Sequence, residues 1–380
     1  MFYNLWTSQK HDLMEEEKKE NDKKAKFNIS YPEEIAEILL EENINLVLST
    51  YQAGKLIFIG SSSSTKLSQT PVSFKKPMGI ASGKNILGIA SLDRVEVFTN
   101  HPGLAKAYPG RPDYFDTMFF PRTTYHTGNL DLHDLHWTSK GLIAVNTRYS
   151  CICRFDYRYN FSPIWKPKFI TELLPEDRCH LNGLAMQNGS PKYVTALGSG
   201  NKKESWRGGI ERNGILIDID TNEILLEGLC MPHSPRIHNG TVYLLESGNG
   251  NLVKFNTITR EKELVCHLSG FARGLSFSGN YAFIGMSKIR QESKTAKVLP
   301  VSKLAQESGV IVVDLITNAI VGMIKYQGGI EEIYDLQIIQ NTAKTALITN
   351  TNKTANLASA SPNLFFWRDP KDEKKSKSEE

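Results

Sequence analysis

The sequence predicts an all-β protein whose fold is a six-bladed β-propeller. One short pattern occurs six times: an apolar strand, a turn through Gly, Asn or Ser, and a second apolar strand. Successive copies begin 39 to 61 residues apart, about the length of chain that the four short strands of a propeller blade need. No helical periodicity competes with this pattern. We number the blades 1 to 6 by the copies, whose equivalent positions are Met78, His133, Asn182, Ser234, Arg273 and Tyr334.

Each copy is expected to supply the two inner strands of a blade. These strands are rich in Val, Ile, Leu, Tyr and Phe, and they turn through pairs such as Asn239 with Gly240. More polar strands, at residues 251–257 (NLVKFNT) and 309–314 (GVIVVD), fit the outer half of a blade. Together these strands predict one propeller domain over residues 31–355.

Both ends of the chain differ from the repeats. A helix is expected over residues 32–42 (PEEIAEILLEE), leading into a strand at residues 44–49 and capping the propeller or one of its edges. Charged residues of both signs are frequent in residues 1–30 and 356–380. Because such segments cannot bury a core, we expect two disordered charged tails.

The composition excludes several classes of protein. A hydrophobic fraction of 40% with 23% charged residues is typical of a globular protein, and the net charge of +4 is too small to indicate a nucleic-acid partner. The apolar runs are too short to span a bilayer, and the first residues lack the basic and then apolar order of a signal peptide. We therefore expect a cytoplasmic protein without membrane or nucleic-acid partners.

The five cysteines do not form a disulfide or zinc pattern. Only Cys151 and Cys153 lie close together, and their spacing places both side chains on one face of a strand, where a thiol usually packs as a small apolar group. A metal pair is the alternative, but zinc sites normally space their cysteines two to four residues apart and add a second pair. We favour the structural interpretation.

The start of each inner strand is the expected place of function, because these positions face the mouth of the central channel. The equivalent positions carry an imidazole, an amide, a guanidinium and a phenol, at His133, Asn182, Arg273 and Tyr334, and His233 precedes Ser234. The next position adds the carboxylates of Asp134 and Asp335. A purely structural entrance would carry small or apolar residues, so this ring predicts a polar binding site.

Five of the nine histidines fall in the opening segments of blades 2 to 4: His133, His136, His180, His233 and His238. Each polar residue also has a structural interpretation. A histidine near a strand start often only makes a local hydrogen bond, the aspartates can cap turns, and Arg273 can pair with Asp335 or Glu332. The functional interpretation is favoured because five blades place a polar residue at one equivalent position.

Four further segments are expected to line the same face: residues 175–180, 198–209, 287–293 and 328–335. Residues 198–209 (GSGNKKESWRGG) are expected to form a flexible lid, with Trp206 and Arg207 as contact residues. The lid is not a phosphate loop, because the Walker spacing is absent. The sequence also lacks the HExxH, GxSxG and dinucleotide-binding motifs, so any catalytic site must combine residues of different blades.

Several long strings resemble the hallmark segments of a bacterial family of conserved hypothetical proteins with a domain of unknown function. They span residues 36–350 and include LSTYQAGKL (48–56), LDLHDLHW (130–137), VNTRYSC (145–151), PEDRCHLNGLAM (175–186), MPHSPRIHNG (231–240), GFARGLSF (270–277) and GGIEEIYDLQ (328–337). Membership implies the propeller-like fold but no activity.

A more distant similarity is to the calcium-dependent lactonases of the regucalcin type, whose metal is held by oxygen ligands from different blades. That resemblance implies calcium ligands at Asn182 and Asp335. However, His133 and Arg273 stand where further oxygen ligands would be expected.

Two hypotheses of function follow. In the first, the channel mouth binds a small anionic, sugar or peptide ligand, with Arg236 and Arg273 on its negative group, Tyr334 or Trp206 stacked on it, and Asn182 and Glu332 completing the site. In the second, His133, His233 and Asp335 act as acid and base, or hold a divalent metal, in hydrolase, lyase or peptide-modifying chemistry. Ligation by imidazoles would favour zinc, copper, iron or nickel over calcium.

Overall fold

The computed structural model describes residues 27–289, 296–304 and 306–368. Its first elements are β1 (Ile29–Ser30), α1 (Glu33–Glu41), β2 (Ile44–Thr50), β3 (Lys55–Ser63), β4 (Lys66–Ser73), β5 (Ile80–Gly83), β6 (Ile86–Ala90), β7 (Arg94–Asn100), α2 (Pro102–Lys106) and β8 (Thr117–His126). Next come β9 (Leu132–Thr138), β10 (Gly141–Asn146), β11 (Cys151–Arg154), β12 (Ser162–Trp165), β13 (Leu181–Gln187), β14 (Ser190–Ala196), β15 (Gly214–Asp218) and β16 (Ile224–Leu229).

The second half of the chain continues with β17 (Pro232–His238), β18 (Thr241–Glu246), β19 (Asn251–Phe255), β20 (Lys262–His267), β21 (Phe271–Ser278), β22 (Tyr281–Ser287), β23 (Gly309–Asp314) and β24 (Ala319–Tyr326). It ends with β25 (Asp335–Gln340), β26 (Thr345–Leu347), β27 (Ala358–Ala360) and β28 (Phe365–Trp367). Short 3-10 helices lie at Ser205–Arg207, Ala296–Val298, Pro300–Lys303 and Lys353–Leu357.

Six sheets, each with four antiparallel strands, form the six blades, which confirms the predicted all-β propeller. The inner strands are β5, β9, β13, β17, β21 and β25 for blades 1 to 6, and the next three strands of each blade follow outward. Each inner strand contacts the inner strands of its two neighbours, and the ring closes between β25 and β5. The apolar core lies between adjacent blades, because alternate residues of a strand face opposite sides of its sheet.

Blade 6 joins the two ends of the domain. Its inner strand β25 pairs with β2 along its whole length, from Asp335 opposite Ser49 to Gln340 opposite Ile44. This corrects the interpretation of the sixth copy, whose second strand was expected to pair within the same blade. That strand is β26, and it pairs in parallel with β8 at the outer edge of blade 1. The strands β2, β3 and β4 already complete blade 6, so the chain after β25 passes to the next sheet.

The helix expected at residues 32–42 is present as α1. Its apolar face buries Ile35, Ile38 and Leu39 against strands of blades 5 and 6, so it covers the junction of these two blades. Neither helix of the described chain has the length and apolarity that crossing a bilayer requires.

Defined structure extends into both predicted tails, 1–30 and 356–380. The strand β1 pairs with β24 in blade 5. At the other end, β27 and β28 form a hairpin whose Trp367 donates Nε1–H to the carbonyl of Leu104, at 3.0 Å. Residues up to 368 therefore have defined structure beside blade 1. The remaining parts of both tails, residues 1–26 and 369–380, lie outside the described residues.

The Cys-x-Cys pair is structural, as expected. Cys151 and Cys153 point to one side of β11 and pack in the core between blades 1 and 2, whereas Ile152 between them packs toward blade 3. Burial raises the pKa of Cys151 to about 12 and that of Cys153 well above its usual value. Both thiols therefore stay protonated and act as small apolar groups.

A buried guanidinium lies among the inner strands. Arg236 of blade 4 donates from Nη1 to Asp134 Oδ2 of blade 2, at 2.8 Å, and to the carbonyl of Leu184 in blade 3, at 3.0 Å. Its Nε donates to the carbonyl of Leu275 in blade 5, at 3.1 Å. One side chain thus binds directly to three other blades. We call Arg236, Asp134 and Asp335 the hub.

Asp335 extends the hub to blades 6 and 1. Its Oδ1 lies 3.9 Å from Arg236 Nη2 and accepts a hydrogen bond from the N–H of Leu336, while its Oδ2 accepts from the N–H of Ile80, at 2.8 Å. Burial and the neighbouring Asp134 carboxylate raise the pKa of Asp335 above its usual value. Burial also opposes ionisation of Asp134, but Arg236 holds the pKa of that carboxyl below its usual range.

We predict that Arg236→Met strongly destabilises the propeller. The substitution would leave the buried Asp134 carboxylate without its guanidinium partner, and removing one partner of a buried ion pair costs about 3–5 kcal/mol. Urea unfolding followed by circular dichroism measures the free energy of unfolding. The control is Arg260→Met, which removes an exposed ion pair with Glu223 and should cost less than about 1 kcal/mol. Equal effects of the two substitutions would contradict a stabilising hub.

Candidate functional site

Each inner strand accepts a hydrogen bond from the preceding blade at one backbone carbonyl near its start. Four of the donors are hydroxyls at or next to the end of the second strand of a blade. They pair as Ser49 with Met78, Thr147 with Leu181, Ser247 with Ala272, and Ser287 with Ile333, at 2.5–3.0 Å. At Leu132 the donor is the N–H of Gly79, at 3.4 Å. At Pro232 the donor is the amide of Asn182, at 2.9 Å.

The residues directly after these six carbonyls occupy equivalent places at the start of the inner strands, where the mouth of the channel was expected. They are Gly79, His133, Asn182, His233, Arg273 and Tyr334, and we call them the mouth ring. Two members differ from the equivalent positions taken from the sequence. His233 stands in place of Ser234, and Gly79 stands in place of Met78.

The difference at blade 4 has a local cause. Ser234 has a left-handed backbone, with φ of +50°, and the pairing of β17 with β18 shifts register between His233 and Arg236. The Ser234 hydroxyl consequently accepts a hydrogen bond from the N–H of Gly274, at 3.0 Å, and ties blade 4 to blade 5. At blade 1, Met78 packs in the core between blades 1 and 2.

Hydrogen bonds determine the tautomer of the imidazole of His133. Its Nδ1 lies 3.2 Å from the carbonyl of Asp131, which can only accept, so Nδ1 carries a proton. The Thr147 hydroxyl lies 2.7 Å from the same nitrogen, and it gives its own proton to the carbonyl of Leu181. That hydroxyl therefore also accepts from Nδ1.

The imidazole of His233 repeats this arrangement in blade 4. Its Nδ1 lies 3.0 Å from the carbonyl of Met231 and 2.9 Å from the Ser247 hydroxyl, which donates to Ala272. The same local geometry supports both rings: Asp131 and Met231 have left-handed backbones, with φ of +55° and +49°, two residues before the mouth ring.

Both imidazoles are uncharged at neutral pH. Burial lowers the pKa of His133 well below its usual value, and His180 and Arg273 lower it further. Burial likewise lowers the pKa of His233, with Arg273 as the next cause. A neutral imidazole with its proton on Nδ1 has a lone pair on Nε2. Each ring therefore carries one hydrogen-bond acceptor, its Nε2 atom.

A third imidazole, His180, belongs to the site although it was not among the predicted site residues. Its ring lies 4.9 Å from that of His133. Asp177 lies 2.9 Å from His180 Nδ1 through Oδ2, and the same oxygen accepts from Trp206 Nε1, at 3.0 Å. The number of histidines in blades 2 to 4 could have indicated His180. It was not selected because it lies in a loop and has no equivalent position in the repeats.

Arg273 and Tyr334 stack on each other beside His133, whose ring centre lies 5.3 Å from that of Tyr334. The guanidinium carbon of Arg273 lies 4.1 Å from the centre of the Tyr334 ring, and Glu332 Oε1 lies 3.7 Å from Arg273 Nη1. The phenol oxygen of Tyr334 is buried and has no hydrogen-bond partner among the described residues. Burial raises the pKa of Tyr334 well above its usual value, so the phenol remains a donor.

Other predicted site residues have structural contacts. Asp335 and Arg236 form the hub, and Asn182 connects blades 3 and 4 while accepting from the Thr195 hydroxyl, at 2.7 Å. The two calcium positions implied by the regucalcin resemblance, Asn182 and Asp335, are thus both engaged within the protein. Among the described residues, no group of three or more His, Cys, Asp and Glu side chains is placed to hold a metal ion.

Within the segment expected to form the lid, Trp206 is packed inside the protein, whereas several of its neighbours are exposed. Trp206 is buried against His180, with ring centres 4.4 Å apart, and belongs to an apolar cluster with Leu299 and Val301 from the segment after β22. Arg207 lies over the Trp206 ring at 4.4 Å and is exposed at the rim. Of the expected segment 287–293, residues 290–293 lie outside the described residues.

Comparison with known families identifies the family of the chain. The sequence profile of a domain of unknown function, DUF4915, matches residues 33–348. The chain belongs to the DUF4915 family. The match extends from α1 to β26 and includes the whole mouth ring and hub. No curated protein sequence matches the chain.

Solved structures show how the DUF4915 fold compares with others. A chain of a structure described as a nidogen/laminin complex covers 78% of this chain and 99% of its own length, with 8% identity and a TM-score of 0.51. The Pan2 WD40 domain of Neurospora crassa covers 66% of both chains, with 14% identity and a TM-score of 0.37. The first likeness concerns the fold alone.

We predict that the buried imidazoles destabilise this DUF4915 protein in acid. Each ring must take up a proton on unfolding below about pH 6.5, so the unfolded state binds more protons and the free energy of unfolding falls as pH falls. Each ring should remove about 1.4 kcal/mol between pH 7.5 and pH 5.5.

Urea unfolding of the wild type, His133→Asn and His233→Asn at both pH values measures this contribution. Each substitution should make the acid loss smaller by about 1.4 kcal/mol. The raised pKa of Asp335 acts in the opposite direction, but it is common to all three proteins. An unchanged acid loss in both variants would show that the rings are not held neutral.

Proposed function

We propose that the mouth of the propeller binds a small anionic ligand, with Arg273 as the anchor for its acid group. The observation that carries the proposal is the position of this guanidinium. It lies against the face of Tyr334 at the start of an inner strand, and its positive charge reaches the rings of His133 and His233 in blades 2 and 4. An anion on Arg273 would therefore be within the electrostatic reach of both imidazoles.

The chemistry of the neighbouring groups supports an anionic ligand. A guanidinium binds carboxylates and phosphates through two parallel N–H donors, and stacking on an aromatic ring fixes its plane. Tyr334 adds a buried hydroxyl, which has no partner in the described part of the chain and can donate to the same acid group. Glu332 lies beside Arg273 at 3.7 Å and fixes the guanidinium from one side.

A second candidate function is acid–base catalysis at the same mouth. It is favoured by the contact of His180 with Asp177, which fixes the proton on Nδ1 and leaves Nε2 as a base. His133 and His233 present the same form through Thr147 and Ser247. In a metal-assisted version His133 and His233 would be ligands, whereas the oxygens of Asp335 already accept backbone hydrogen bonds.

We also propose a cytoplasmic location and a small-molecule or peptide ligand, without nucleic acid or membrane as partners. The five cysteines are free thiols in the structure, which suits a reducing compartment. The small net charge and the absence of a membrane-spanning helix among the described residues are consistent with this proposal.

We predict that Arg273→Lys weakens ligand binding about tenfold or more without unfolding the protein. Lysine keeps the charge but loses the planar pair of donors. Citrate, gluconate, glucuronate, glucose 6-phosphate and glutamate are screened by thermal shift, and binders are titrated by calorimetry. The control is Arg207→Lys at the rim, which should bind as the wild type does. Failure of every acid to bind, or equal affinity of the wild type and Arg273→Lys, would contradict the proposed function.

A further inference from the structure

We infer that the ligand of the mouth is a polyhydroxylated acid of the sugar-acid class, with its acid group on Arg273 and its hydroxyls donating to Nε2 of His133 and His233. This inference rests on the proposed anionic ligand. It specifies which chemical groups the ligand must carry besides its acid group.

The first step is the number of acceptors at the mouth. Both Nδ1 atoms are donors, because each faces a backbone carbonyl, Asp131 for His133 and Met231 for His233. In the described structure neither Nε2 receives a hydrogen bond from the protein. A polar atom that loses water without gaining a partner is costly, so a ligand that fills the mouth must supply donors to these two atoms.

The second step excludes a ligand with acid groups alone. A carboxylate is only an acceptor, and placed against Nε2 of a neutral imidazole it would set one lone pair against another. Protonating the rings would remove the conflict, but burial and Arg273 both oppose the charged form of His133 and His233. The groups that face the acceptors must therefore be neutral donors next to the acid.

The third step favours hydroxyls over the N–H groups of a peptide. His133 and His233 belong to blades 2 and 4, with Asn182 of blade 3 between them, so the two acceptors face the ligand from different directions. Hydroxyls on neighbouring carbons rotate to suit each direction, whereas an extended peptide carries one fixed N–H per residue.

The test compares six-carbon ligands that differ in one property. D-gluconate and D-glucuronate carry acid and hydroxyls, hexanoate carries only the acid, and D-glucitol carries only hydroxyls. Titration calorimetry at pH 7.5, in buffers of different ionisation enthalpy, measures affinity and proton uptake together. Gluconate or glucuronate should bind at least about tenfold more tightly than hexanoate and glucitol, because a site with buried acceptors rejects a ligand lacking donors. Binding should take up no proton.

Substitution of the acceptors gives an independent readout. His133→Phe and His233→Phe keep a ring but remove Nε2, and each should weaken the better of the two sugar acids about tenfold while leaving hexanoate unchanged. His238→Phe is the control, because its ring lies at the far end of β17, stacked on Phe277. The calorimetry with wild-type protein decides the question if a variant does not fold.

The outcomes separate this inference from the proposed function. Equal binding of hexanoate and gluconate, proton uptake on binding, or tighter binding of triglycine than of any sugar acid would overturn the inference and leave an anion site in place. If none of the acids binds, the inference and the proposed function both fail.

Discussion

The buried ion pair between Arg236 and Asp134 is the contact on which the arrangement of the blades depends. A propeller brings six strand edges together at its axis, and their polar groups need partners away from water. One guanidinium meets this need by binding groups of blades 2, 3 and 5, and Asp335 extends the contacts to blades 6 and 1. Asp134 and Asp335 follow His133 and Tyr334 directly in the sequence. The two carboxylates of the hub therefore lie one residue further along the inner strands than the mouth ring, and Arg236 lies three residues after His233.

The same inter-blade hydrogen bonds that hold the ring together also prepare the mouth for a ligand. Thr147 and Ser247 donate to the next blade, and because each hydroxyl has one proton, each must accept from an imidazole. Burial then keeps both rings neutral. The hydrogen bonds between blades thus set the protonation state of His133 and His233. A substitution of Thr147 or Ser247 would therefore alter both the stability of the protein and its binding of the ligand.

The sequence predicted what depends on local pattern, namely the blades, the helix α1 and the polar character of the mouth ring. Pairing between distant segments was missed: nothing local indicates that β25 completes a blade with β2, so β26 was assigned to blade 6. Ser234 was taken for His233 because a left-handed residue shifts the register by one position. Arg236 was expected to bind a ligand, and Asp335 to act in acid–base chemistry or hold a metal, since a sequence shows charge but does not show which charges are buried against each other. His180 was not selected because loop residues have no repeat position.

The measurement that tests the account most directly is a nitrogen–proton correlation spectrum of the imidazoles in deuterated protein labelled at histidine, recorded at pH 7. His133→Asn and His233→Asn assign the two signals. The account predicts that both rings are neutral with the proton on Nδ1, a pattern that an exposed histidine seldom adopts alone. Signals of a protonated ring, or of a neutral ring with its proton on Nε2, would contradict the arrangement of acceptors at the mouth and remove the basis for a hydroxylated ligand.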